Sequence, residues 1–91
     1  MLQDLELVNV TPAIRAERGI RSESGVLIFK LSPQVSRATG LQEGDVILAV
    51  NRSAVRAASQ VADLLNVRPG EVVRIYLERE GQITFTDLVF R

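Results

Sequence analysis

Two short apolar runs limit what this chain can fold into. Val26-Leu27-Ile28-Phe29-Lys30-Leu31 and Val46-Ile47-Leu48-Ala49-Val50 are too short for buried helices and read as strands that are apolar on both faces. Turn signals isolate each of them: Gly25 opens the first, Ser32-Pro33 breaks it, and Gln42-Glu43-Gly44 leads through Asp45 into the second. The flanking segments follow from these anchors. Leu5 to Val10 alternates loosely, as a short edge strand with one buried face does. Thr11, Pro12 and Gly19 supply a capping hydroxyl, a proline at the first helical position and a terminating glycine, which predicts a helix of about two turns. The stretch from Ser32 to Gly40 predicts a single helical turn or a tight loop.

The second half shows the same punctuation. Ala58, Val61, Ala62, Leu64 and Leu65 recur at helical spacing while Ser59, Gln60 and Asp63 face outward, with Ser59 placed to act near the N-cap. Arg68-Pro69-Gly70 is a turn, and strands from about Glu71 to Arg79 and Gln82 to Phe90 meet across Glu80-Gly81 as a hairpin. With 91 residues, 46% hydrophobic and 24% charged, residues 1–91 form one packed domain of the α+β class, built on a small, curled, largely antiparallel sheet.

Several function classes fall on composition. Eleven basic and eleven acidic side chains cancel, which argues against nucleic acid or an anionic membrane as a partner. No apolar run is long enough to span a bilayer, and Met1 to Val10 has no basic leader region. Histidine and cysteine are absent, so these residues hold no Ser-His-Asp triad, no thiolate nucleophile and no His- or Cys-ligated metal. Lys30 is the only amine that could activate a serine, and its mid-strand position reads as a solvated side chain. The acids Glu78 with Glu80 and Asp45 with Glu43 read as solvated surface charge. Gly40 and Gly44 do not make a phosphate loop, because Asp45 follows where the motif needs Lys. No cofactor is implied, and the chain is expected not to be an enzyme by itself.

Binding through shape remains. An edge strand beside an alanine-rich amphipathic helix lets an extended peptide join the sheet and drop alternate side chains into an apolar groove. Equally, Ala58 and Ala62 simply let the helix pack close to the sheet.

Gly25-Val26-Leu27-Ile28, Ser32-Pro33, the run from Gly40-Leu41-Gln42-Glu43-Gly44-Asp45 to Val50-Asn51 and the following helix together resemble the PDZ domain as found in bacteria. Leu5 to Ile20, with its Thr11-Pro12 helix, is similar to the strand and helix that precede the Gly-Val-Leu-Val strand in PDZ domains of HtrA/Deg trypsin-like serine proteases. The resemblance implies a PDZ-like sheet of five to six strands with two helices, taken from a larger protease. It further implies a module that recognises C-terminal or extended hydrophobic segments, from peptides or unfolded proteins, by strand addition. By that resemblance the carboxylate loop matches Leu2, Gln3, Asp4 and Leu5, the pairing strand Glu6 and Leu7, and the opposite wall Ala58, Ala62 and Leu65. Asp4 stands where the family has a loop glycine, which favours the alternative of a protein–protein docking or oligomer-assembly module with little peptide affinity. An attached protease domain, homo-oligomers formed through the parent, and a periplasmic or cell-envelope location are likewise implied by resemblance.

Overall fold

The computed structural model describes residues 5–64 and 70–89. The chain runs β1 (Leu5–Asn9), α1 (Pro12–Arg18), β2 (Val26–Leu31), α2 (Pro33–Thr39), β3 (Val46–Val50), β4 (Ser53–Ala54), α3 (Ala58–Leu64), β5 (Val72–Arg79) and β6 (Gln82–Val89). The strands form one six-stranded sheet in the order β1-β2-β3-β5-β6, with β4 hanging on β3, and every pairing is antiparallel.

The helix signals work as the residues dictate. Thr11 Oγ1 accepts the Ile14 N–H, Pro12 opens α1, and Gly19 closes it in the left-handed region at φ 66°. Residues 32–40 repeat that grammar: Ser32 caps, Pro33 begins α2 and Gly40 ends it at φ 78°. The expected single turn or loop is therefore a seven-residue helix, and the described residues hold three helices where two were expected. The Glu80-Gly81 hairpin turn is present, with both residues at positive φ (54° and 77°), as a type I′ turn requires.

A single core holds the sheet's inner face. Val26, Ile28, Ile47, Val50, Val61, Val73, Ile75 and Leu77 are buried together, and Leu7, Val35 and Ala58 pack on their margin. A smaller cluster of Ile20, Leu27 and Val46 lies on the other face under α1, with Val10 and Ile14 beside it. Burial on both faces of β2 thus holds for Val26, Leu27 and Ile28 and ends there, because Phe29 and Lys30 are exposed. Glu6 pairs with Lys30 and Leu7 with Ile28, so Phe29 is the extra residue of a β-bulge and is turned outward toward the Arg18 guanidinium.

Two acids expected at the surface are buried. Asp45 accepts the Gln42 N–H at 2.9 Å and also a bidentate pair from Arg79 Nε (2.8 Å) and Nη2 (2.6 Å). Arg79 reaches on to the Gly40 carbonyl at 3.0 Å, so the turn, α2 and β5 meet at one carboxylate. Glu78 is 4% exposed and accepts the Arg21 and Ser22 N–H groups at 2.9 and 2.8 Å, together with the Ser22 hydroxyl. Burial by itself would push the Glu78 carboxyl up; the hydrogen bonds from Ser22 and Arg21 outweigh it and hold the group below the ordinary carboxylate range. Both acids tie loops to the sheet, a role that solvated charges could not fill.

Candidate functional site

β1 lies at the end of the strand order, paired only with β2 among the described residues. The phase of its ladder is set by one bond, from the Val10 N–H to the Gly25 carbonyl at 3.1 Å. In an antiparallel pair alternate residues face the partner, so Val8 and Val10 are turned toward β2, and the N–H and C=O of Leu7 and Asn9 point to the open edge. Side chains alternate as well. Leu7 packs at the margin of the main core and Val10 on the small cluster under α1, which puts Leu7 and Asn9 on the inner face of β1.

α3 lies beside that edge. Ala58, its first residue, is half-buried and borders the same core as Leu7, while Val61 one turn on is fully buried beneath the helix. The helix start is held in two ways. Gln60 Oε1 accepts the Arg56 and Ala57 N–H groups at 2.6 and 3.0 Å, and Asn9 Oδ1 accepts the Ala58 N–H at 2.7 Å. Ser59, expected near the N-cap, lies inside α3 and is exposed, and Gln60 does the capping instead. The result is a furrow with an unpaired strand edge on one side, a small-residue helix on the other and apolar side chains between them.

Of the residues singled out from the sequence, Leu7 and Ala58 meet at this furrow. Glu6 faces the other side of β1, exposed and 4.0 Å from Lys30 Nζ, where a solvated ion pair contributes little. The backbone of Leu5 pairs with Leu31, and that of Ala62 belongs to α3; the side chains of both lie outside the described residues. Leu2, Gln3, Asp4 and Leu65 lie outside them altogether. Asn9 was not singled out, although its polarity at an inner-face position of β1 is a visible signal.

A cleft of about 470 Å³ lies elsewhere, between the end of α1 and the β5–β6 turn, lined by Arg18, Ile20, Arg21, Glu78 and Glu80 among others. Its buried acid is already satisfied by the 21–22 backbone. The β1 furrow is the better candidate for recognition.

Among solved structures, the HtrA3 PDZ domain bound to a phage-derived ligand, FGRWV, matches with a TM-score of 0.78 at 18% identity, over 94% of this chain and 80% of that one. The fold is the PDZ fold. The HtrA-type protease AlgW with a decapeptide gives the same TM-score of 0.78 at 22% identity, over 94% of this chain and 27% of AlgW. In sequence, the domain is 38% identical over 88 residues to the mitochondrial serine protease HTRA2 of Bos taurus, covering 88% of this chain and 18% of that protein. It is 30% identical over 57 residues to the zinc metalloprotease RasP of Geobacillus kaustophilus (strain HTA426), covering 62% and 14% respectively. The chain therefore spans less than a fifth of these curated relatives. No family model matches it.

Proposed function

We propose that this PDZ domain binds C-terminal or extended hydrophobic segments by adding them as a strand to β1, and that it serves substrate recognition or regulation for an attached HtrA-type serine protease. The observation that carries this reading is the open edge at Leu7 and Asn9, beside the Ala58 end of α3 across an apolar floor. A guest strand gains main-chain hydrogen bonds from that edge and places alternate side chains over Leu7 and beside Ala58. By the family pattern the wall facing the guest is assigned to Ala58, Ala62 and Leu65, small residues at 58 and 62 suiting bulky guest side chains. By the same pattern the guest's carboxylate is assigned to Leu2, Gln3, Asp4 and Leu5. The peptide-bound HtrA3 and AlgW structures support the reading by fold. On the same grounds the parent acts in the periplasm or cell envelope.

Asp4 favours a second reading, a docking or assembly module with little affinity for free C-termini. Its carboxylate would oppose a guest carboxylate a few ångströms away, at a cost of about 1 to 3 kcal/mol between the water and partly buried limits. Asp4→Gly is therefore expected to tighten a hydrophobic-ended peptide by about ten- to a hundredfold in fluorescence polarisation. Equal affinities would remove the electrostatic argument, and absence of binding by both forms would favour the docking module.

A further inference from the structure

Asn9 breaks the pattern of its strand. It follows Leu7 on the inner face of β1, where alternation calls for another apolar side chain. An exposed asparagine stands there instead and bonds the first residue of α3, a partner 49 positions away in sequence. Gln60 already takes the two preceding N–H groups, so among the described residues the Asn9 hydrogen bond is the one that ties α3 across the furrow to the edge strand.

That bond fixes a dimension. An asparagine oxygen lies no more than roughly 3.7 Å from its own Cα by covalent geometry, and the bond adds 2.7 Å. The Ala58 nitrogen is therefore held within about 6 Å of the β1 backbone. An added strand takes about 4.8 Å beside its neighbour, before any inward side chain is counted. At Asn9 the inward space is already occupied by the bridge.

We propose that Asn9 is a positioning residue that sets specificity: it pinches the furrow shut so that a guest residue opposite it must be glycine or similarly small. This rests on the strand-addition reading above. Residues directly opposite in an antiparallel pair share a face. With the guest's last residue opposite Leu5, its third from last lies opposite Leu7 and its fifth from last opposite Asn9. The domain thus reads the two inward side chains nearest the guest's end and rejects bulk at the next inward position.

The test compares the labelled pentapeptides FGRWV and GGRWV and the tetrapeptide GRWV against wild type, Asn9→Ala and Asn9→Asp. Wild type should bind GRWV and GGRWV alike and FGRWV at least about tenfold more weakly, a discrimination of 1.4 kcal/mol or more. Asn9→Ala should bring FGRWV to within about twofold of GGRWV. Asn9→Asp keeps an acceptor for the Ala58 N–H and should keep the discrimination, so rescue separates the bridge from general loss of structure. Hydrogen exchange at Ala58 should quicken in Asn9→Ala alone. Equal binding of FGRWV and GGRWV by wild type would overturn the role of Asn9, and so would a ratio unchanged in Asn9→Ala. Binding of none of the three peptides would overturn the strand-addition reading itself. Should Asn9→Ala fail to fold, the wild-type ratio and its persistence in Asn9→Asp decide.

Discussion

Arg79→Ala should destabilise the domain by about 3 to 5 kcal/mol, more than Asp45→Ala, which should cost about 2 to 3 kcal/mol. The asymmetry follows from what each change leaves behind. Removing the arginine strands a carboxylate whose side chain is 2% exposed, with only the Gln42 N–H still bonded to it. Removing the aspartate strands a guanidinium that is 31% exposed and can turn to water while keeping the Gly40 carbonyl. The double variant should cost less than the sum of the two, because neither partner is then left alone. Urea unfolding of the three variants checks this. Equal losses, or full additivity, would mean that the pair is a surface contact and that the 40–45 turn is held by something else.

Gly25→Ala should cost about 3 kcal/mol or more, from overpacking together with backbone strain. Gly25 lies at φ 145°, and a Cβ there would stand 2.8 Å from the Ile47 carbonyl oxygen and 2.8 Å from Val46 Cγ1. The carbonyl cannot retreat without disturbing β3, whose Ile47 pairs with Val26 of β2. Gly25 also accepts the Val10 N–H, so a shift there moves the end of β1 and with it the floor of the furrow. The midpoint of thermal unfolding should fall by more than about 10 °C. A change of less than about 3 °C would show that the β2–β3 approach has slack.

Most of the architecture was legible because its determinants are local. The Thr11-Pro12 and Ser32-Pro33 caps, the left-handed glycines and the Glu80-Gly81 turn each act within a few residues. The second proline helix was under-read although its cap, proline and glycine stand in the same order as in the first. What stayed hidden depends on pairing between distant segments. Asp45 and Glu78 look like surface acids until the register brings Arg79 to one and the 21–22 loop to the other, 34 and 56 to 57 positions away. Phe29 reads as core until the bulge turns it out. At the furrow, the residues that matter by side-chain type, Leu7 and Ala58, were visible. Asn9 was not, because its partner is a backbone N–H on another element.

Amide exchange at Leu7, followed by NMR in the free domain and with saturating GRWV, tests the open edge. Val8 and Val10, turned toward β2, should be protected in both states. Leu7 N–H should exchange freely alone and slow by at least about tenfold when the peptide is bound. A Leu7 amide as protected as Val8 without peptide would mean that the edge is already occupied. Peptide binding that leaves its exchange unchanged would place the guest elsewhere, and either result contradicts strand addition at β1.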